Sequence, residues 1–332
     1  IVAIVGGVAA QWFAGLVRLP AIIPLLGLGI LLGPEALGMM PRPSEAIPEG
    51  MNAIVGVGVA IILFEGGLSL SVRDLRQAPH AVRNLLSVGA LITFAGGALC
   101  AHYIAGLSWL VAMPYGALMI VTGPTVIGPL LKNLRLTQRP HTVLMWEGIL
   151  IDPIGAIAAV VTLKVMIGES DPREAGPLFL AALLIGPGIG LVGGWLLGMW
   201  LRKRHTAGGK EEELDHLLAL AGGLAIYGIS EMILHESGLG AITCAGIVVA
   251  NTLRDGLEDL RRFKGILTTL LVSVLFIVLA ADFQLEDMRL LWPYGFLAIA
   301  VLMFVVRPVS VMVCTWRTNL TYRERLLVSM VC

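Results

Sequence analysis

The sequence predicts an all-α polytopic membrane protein, and three observations lead there. Of 332 residues, 57% are hydrophobic and only 14% charged, whereas a soluble chain of this size needs more charge to cover its surface. Mean hydropathy is +0.87, which also excludes a disordered chain. The apolar residues are gathered into stretches of near-spanning length. Lys and Arg balance Asp and Glu at 23 each with no basic stripe, so no nucleic-acid partner is expected. Cys100, Cys244, Cys314 and Cys332 are far apart and show no CxxC spacing. Neither a zinc site nor a disulfide framework is indicated.

Taken in order, the stretches fall near 1–17, 19–33, 51–70, 84–104, 108–131, 141–167, 177–201, 214–234, 238–252, 265–282 and 290–316, with part of a twelfth from Arg325. A span takes roughly 20 residues, so 19–33 and 238–252 are short; both are rich in glycine. The loops support the count. Numbered in order, the odd loops carry 18 of the 23 Lys and Arg residues, and the even loops carry only Arg42, Arg173 and Arg289. By the positive-inside rule the odd loops are cytoplasmic. A wrong count would scramble that alternation. The chain begins and ends inside apolar runs, so it is expected to be part of a longer protein. Residues 1–332 are read as one transmembrane transport domain, multi-pass in the cell (inner) membrane.

The spans also suggest an internal repeat. Span 2 contains Leu26-Gly27-Leu28-Gly29, and span 9 contains Gly238-Leu239-Gly240-Ala241. Spans 3 and 10 both carry long aliphatic runs ending near an acid, Glu65 and Asp282. An offset of seven spans, an odd number, places the two units in opposite orientations, as in secondary transporters. Spans 1–6 form the first repeat region, span 7 a linker, and spans 8–12 an incomplete second region.

Few charges lie inside spans: Glu65 in span 3, Glu147, Asp152 and Lys164 in span 6, Glu231 in span 8 and Arg307 in span 11. Such groups face a cavity or a partner. Counted from Arg139, Glu147 lies about 12 Å deep and Asp152 about 20 Å, near the midplane. Counted from Arg317, Arg307 lies about 15 Å deep on the same side. Glu147 and Arg307 are therefore expected to form an ion pair. Asp152, five residues on, points about 140° away around the helix. It cannot easily share that partner, and an unpaired midplane carboxylate is a site for a proton or a cation. Glu65 is read either as a wall of that site or as a packing residue, and Glu231 and Lys164 as snorkelling or capping groups.

Thr122-Gly123-Pro124-Thr125 falls near the middle of span 5. Proline removes a backbone hydrogen bond and glycine weakens the helix. A break there frees oxygens that can coordinate a cation, the alternative being an ordinary kink. Asp152-Pro153 is a second break signal. Gly188-Ile189-Gly190-Leu191-Val192-Gly193 matches a dinucleotide fingerprint but sits inside an apolar span after no strand, so it is read as close helix packing. Neither HExxH nor GxSxG occurs; no enzyme activity and no cofactor are expected.

These residues together resemble the monovalent cation–proton antiporter superfamily, in its sodium/proton exchanger branch. Trp146-Glu147-Gly148-Ile149-Leu150-Ile151-Asp152 resembles the sixth-helix signature Glu-Ser-Leu-hydrophobic-Asn-Asp. Thr122-Gly123-Pro124 is similar to the fifth-helix Thr-Asp-Pro break, Phe64-Glu65-Gly66-Gly67-Leu68 to a third-helix motif, and Arg307-Pro308 to an eleventh-helix arginine. The resemblance runs through the whole chain. It implies an inverted-repeat fold in which helices 5 and 12 are broken and cross, Gly123 and Pro124 forming the first break. It implies Asp152 as the exchanged-ion carboxylate, Thr122 as an oxygen donor to the ion, and Glu65 as a lining residue. Glu147 and Arg307 become the structural pair. It also implies a homodimer in the lipid bilayer, and a cytoplasmic regulatory domain is expected on the part of the protein beyond residue 332.

Three positions depart from the pattern: Gly123 stands for aspartate, Ile151 for asparagine and Gly148 for serine, each losing an oxygen donor. Sodium and potassium are thus both open. The expected function is electroneutral one-for-one exchange of Na+ or K+ for H+ by alternating access around Asp152, a role in pH homeostasis. Two rivals stay open: a transporter of a small organic anion on a similar scaffold, and an uncoupled channel-like or sensor relative.

Overall fold

The computed structural model describes residues 2–331 apart from 18, 43–47, 77, 123–136, 207–211, 254–256, 285–291 and 319, and side chains at 48–49, 51–52, 205–206, 212–213 and 257–267 are likewise outside the description. Each apolar stretch of the sequence holds a helix. In hydrocarbon every backbone N–H and C=O needs an internal partner, and a helix provides it. In chain order these are α1 (Val2–Val17), α2 (Ile22–Leu32), α3 (Pro48–Ser69), a single turn α4 (Val72–Leu75), α5 (Pro79–Tyr103) and α6 (Trp109–Leu118). There follow α7 (Gln138–Met166), α8 (Pro172–Thr206), α9 (Glu212–Ile233), α10 (Gly238–Thr252), α11 (Leu257–Ala281), α12 (Tyr294–Thr315) and α13 (Tyr322–Val331). Among the described residues five helices are long and apolar enough to cross a membrane: α5, α7, α12, and the stretches Pro172–Arg204 and Leu214–Ile233 of α8 and α9.

The helices pack as two bundles. The first contains α1–α3 and α8–α11, and the second α5–α7, α12 and α13. In the first bundle the glycine-rich short helices lie against the backbone of a longer one. A Cβ on Gly246 of α10 would sit 2.5 Å from the Phe64 carbonyl of α3, and one on Gly67 of α3 2.5 Å from the Thr243 carbonyl of α10. The pairing of α2 with α11 is built the same way: a Cβ on Gly29 would meet the Ile277 carbonyl at 2.6 Å, and one on Gly33 the Ala281 carbonyl at 2.8 Å. Small residues at such contacts let backbones approach, which drives helix association where no water is expelled. The 188–193 motif serves the same end. Gly190 abuts the Ala241 carbonyl and Gly193 the Ile226 side chain, while Gly188 has open space beside it.

In the second bundle, α5 and α12 pack together and each contains a π-turn, Leu85–Gly89 and Leu302–Val306. Ser310 on α12 reaches across to the Gly89 carbonyl (3.2 Å), which also accepts the Thr93 hydroxyl (2.9 Å). Asn84 and Cys314 tie the same helices through each other's carbonyls, at 3.0 and 3.4 Å.

The chain first passes from one bundle to the other at Leu70–Ser71, between α3 and α4. Asn251 of α10 clasps this joint: its Oδ1 accepts the Val72 N–H (3.0 Å) and its Nδ2 donates to the Leu70 carbonyl (3.2 Å). The bundles also meet where α7 lies against α3 and α10. There Ile149, fully buried, rests on Gly66, and Leu70 and Ile247 join the apolar cluster around Leu144 and Ile149.

Candidate functional site

α7 carries the centre of the site as one unbroken helix of 29 residues. The expected break at Asp152-Pro153 does not occur: the helix runs through Pro153. Proline leaves the carbonyl four residues back without its helical donor. That carbonyl belongs to Ile149, which is fully enclosed by α3 and its neighbours, and such packing lets a spanning helix tolerate proline.

Glu147 and Arg307 meet as depth predicts. Arg307 Nη1 lies 3.9 Å from Glu147 Oε1, with side chains only 11% and 4% exposed. That distance exceeds a direct hydrogen bond. The shorter contacts of Arg307 are to main chain: Nη2 donates to the Met119 carbonyl at 2.8 Å and to the Ile120 carbonyl at 3.2 Å. These carbonyls follow the C-terminal end of α6, accept no helical N–H among the described residues, and lie at the negative end of the helix dipole. Arg307 therefore neutralises a helix end and a carboxylate together. Sequence depth found the pair but missed the carbonyls. The signal was present, because a Gly123-Pro124 break implies a helix terminus just before it. A cavity of about 10 Å³, lined in part by Thr93, Glu147, Arg307 and Ser310, adjoins the pair; it has room for roughly one water.

Thr122, expected as an oxygen donor to the ion, has its hydroxyl donating to Glu147 Oε1 at 3.1 Å, which places the side chain in the Glu147–Arg307 network. Gly123 and Pro124 lie outside the described residues. Glu65 is half-buried on α3 with its Oε2 enclosed by protein. The next residue, Gly66, touches Ile149, one turn before Asp152, so α3 abuts α7 close to the level of that acid.

Asp152 stands apart from this network. It is half-buried between two buried neighbours, Ile151 and Pro153, and its Oδ1 is enclosed with no hydrogen-bond partner among the described residues. Arg307 forms no ion pair with it. Of the two acids on α7, Glu147 lies beside Arg307 and Asp152 does not. Ile151 packs in a cluster with Ala90 and Ile120, so it presents only hydrocarbon there. Among the described residues no group of three or more His, Cys, Asp or Glu side chains could hold a resident metal ion.

The family model described as "Sodium/hydrogen exchanger, transmembrane" matches residues 1–332. The chain is 28% identical over 311 residues to the K(+)/H(+) antiporter NhaP2 of Shewanella sp. (strain MR-4), covering 92% of this chain and 52% of that one. It is 26% identical over 332 residues to the K(+)/H(+) antiporter NhaP of Alkalimonas amylolytica, covering 98% and 56%. It thus spans about half the length of these relatives. The structure of the sodium proton antiporter MjNhaP1 from Methanocaldococcus jannaschii superposes with a TM-score of 0.81 at 22% identity, covering 99% of this chain and 80% of that one. The all-helical fold is the one seen in that antiporter. With a family model matched from end to end, the chain is a membrane protein of the sodium/hydrogen exchanger family.

Proposed function

We propose that this chain is the ion-translocating part of an antiporter that exchanges Na+ or K+ for H+ by alternating access around Asp152. The observation that carries the reading is the division of labour on α7. Arg307 neutralises Glu147, while Asp152, five residues on, keeps an enclosed carboxylate oxygen without a hydrogen bond among the described residues. A carboxylate so placed binds either a proton or a monovalent cation. Both loaded forms are neutral, whereas the empty form carries one negative charge. Moving that charge through a low-dielectric interior costs several kcal/mol after relaxation. The empty carrier therefore does not cross, and exchange is coupled one for one and electroneutral.

In this reading eleven helices and part of a twelfth cross the bilayer, and spans 1–6 and 8–12 are inverted repeats joined by span 7. The matched pairs of glycine contacts, α3 with α10 and α2 with α11, support it, because an offset of seven spans exchanges one pair for the other. The π-turns of α5 and α12 are related by the same offset. The bundle containing α7 is the moving part, and the bundle of α1–α3 and α8–α11 is a scaffold through which two copies associate in the cell membrane. Thr122 and Glu65 line the site, Thr122 by its backbone carbonyl or by turning its hydroxyl from Glu147, and the Gly123-Pro124 break lies beside it. Oxygen donors missing at Gly123, Gly148 and Ile151 loosen the demand for a small ion. Together with the printed names of the two K(+)/H(+) relatives, this favours potassium.

The test uses purified protein in proteoliposomes and the recovery of a pH-sensitive dye on adding Na+, Li+ or K+. Wild type is expected to exchange K+ at least as well as Na+. Asp152→Asn, which removes the charge and keeps the size, is expected to abolish exchange of every cation while the protein purifies as a folded species. Cation-dependent exchange surviving in that variant would end the assignment.

A further inference from the structure

Lys164, Glu231, His235 and Glu236 take no part in the exchange site, yet the structure gathers them at one end of the molecule. Lys164 lies near the C-terminal end of α7, twelve residues or about 18 Å beyond Asp152. α9 ends at Ile233, and the chain turns through Glu236, held at φ 72°, into α10. Glu231 closes that turn. Its Oε1 accepts the Glu236 N–H at 2.8 Å and its Oε2 the Gly238 N–H at 3.1 Å, with His235 Nδ1 3.5 Å away. Glu231 is thereby consumed by backbone N–H groups of the turn into α10; Lys164 and Glu236 are not.

Those two residues line a cavity of 280 Å³ between α7, α8 and the end of α9. Among the described residues neither the Lys164 ammonium nor the Glu236 carboxylate has a hydrogen-bond or ion-pair partner, and they do not pair with each other. Burial and the neighbouring Glu231 push the Glu236 carboxyl above its ordinary range, against an opposing pull from Lys164 and His235. Val161, Leu178 and Ala182 supply apolar wall, and the rim includes Met232 and Ile233, which are 89% and 62% exposed. On a membrane protein an exposed apolar rim opens toward acyl chains.

An occupant that satisfies this cavity carries a negative and a positive charge a few atoms apart, together with hydrocarbon. A soluble zwitterion meets the first demand and fails the second. The geometry points to a binding site for one phospholipid with a primary-ammonium headgroup, its phosphate on Lys164, its ammonium on Glu236 and its chain against Leu178, Ala182 and Ile233. The positive-inside assignment puts this site in the outer leaflet. Because its walls come from both bundles, the bound lipid ties α7 to α8 and α9 and slows their relative motion.

Native mass spectrometry of the purified protein tests the site, using phosphatidylethanolamine, phosphatidylcholine and phosphatidylglycerol at equal concentration. One phosphatidylethanolamine is expected to be retained about tenfold more than phosphatidylcholine, whose trimethylated head cannot donate a charge-assisted hydrogen bond. Glu236→Gln is expected to erase that preference, and Lys164→Gln to lower retention of all three lipids several-fold. Equal retention of the three lipids by wild type overturns the proposal, as does a preference unchanged in both variants. Displacement of the lipid by an equal concentration of soluble glycerophosphoethanolamine overturns the acyl half. Asp152→Asn should bind the lipid as wild type does, so failure of the exchange assignment and failure of this site are separable.

Discussion

The charge on Glu147 should contribute to stability, and the contribution can be worked from the contacts. Unit charges 3.9 Å apart attract by about 4 kcal/mol at an effective dielectric near 20. Glu147→Gln removes that attraction but keeps an oxygen for the Thr122 hydroxyl and a dipole facing Arg307. Arg307 also keeps the Met119 and Ile120 carbonyls. The expected loss is therefore about 2–3 kcal/mol, below the roughly 3–5 kcal/mol for stripping one partner from an isolated buried pair. Arg307→Ala is harsher. It strips the guanidinium from a charged Glu147 and removes its two hydrogen bonds to the Met119 and Ile120 carbonyls, each worth about 1–3 kcal/mol where the carbonyl is left buried without a donor. Heating detergent-purified protein and following the surviving fraction by fluorescence-detected gel filtration should rank wild type above Glu147→Gln, and that above Arg307→Ala. Equal stability of Glu147→Gln and wild type would show that the pair carries no stabilising charge. Arg307→Ala no worse than Glu147→Gln would show that the α6 carbonyls do not depend on the guanidinium.

Other expectations rest on separate contacts. Gly190→Ala should lose about 3 kcal/mol or fail to assemble, since its methyl group meets the Ala241 backbone, which cannot rotate away. Gly188→Ala, with nothing within 4 Å of the new methyl, should be neutral or up to about 1 kcal/mol more stable; the same heating assay compares them. Glu324 caps the first turn of α13 through the Thr321 N–H (2.8 Å) and also accepts the Thr137 hydroxyl at the start of α7 (2.6 Å). Those hydrogen bonds, the Thr137 one first, hold its carboxyl below the ordinary range. A depressed pKa means stability that is fully present above the unfolded value, near 4.3, and lost as pH falls through the lower folded value. Melting curves of Glu324→Gln across pH should thus show a small deficit at neutral pH that closes in acid. A deficit constant down to the lowest pH would assign the effect to packing.

Much of the architecture was legible because the bilayer leaves few choices. Hydropathy marked where helices form. Depth along the spans paired Glu147 with Arg307 because two charges in hydrocarbon must find each other. Three things were not legible. Arg307 bonding to Met119 and Ile120 depends on where α6 ends, and a single residue of register decides it. Continuity of α7 through Pro153 depends on how closely α3 encloses Ile149, which no local pattern reports. Lys164 and Glu236 share a cavity only because the turn after α9 folds back over α7. Their 72-residue separation hides that meeting, and periodicity assigns each of them no more than a helix end.

On the alternating-access reading proposed above, the same contacts let a buried acid pass between two sides of a membrane without unfolding its surroundings. α7 spans Thr137 at its N-terminal cap, Glu147, Asp152 and Lys164 in one rod, so displacement of either end moves the acid with it. The polar ties around that rod, Arg307 to α6, Thr122 to Glu147, Ser310 to Gly89 and Thr137 to Glu324, all join members of one bundle. Where α7 meets the other bundle near Asp152, the contact is Ile149 on Gly66, a smooth aliphatic surface over a missing side chain. Sliding of Ile149 over Gly66 exchanges one dispersion contact for another and breaks no hydrogen bond of either residue's side chain, which keeps the barrier at that contact low. A tie that does reach across is the Asn251 clasp, and it holds the chain at Leu70 and Val72, the joint that the proposed motion of one bundle against the other would need anchored. Among the described residues the polar ties of α7 stay within its own bundle and its contact with α3 is apolar, the arrangement a carrier needs if its two bundles are to move past one another away from that joint.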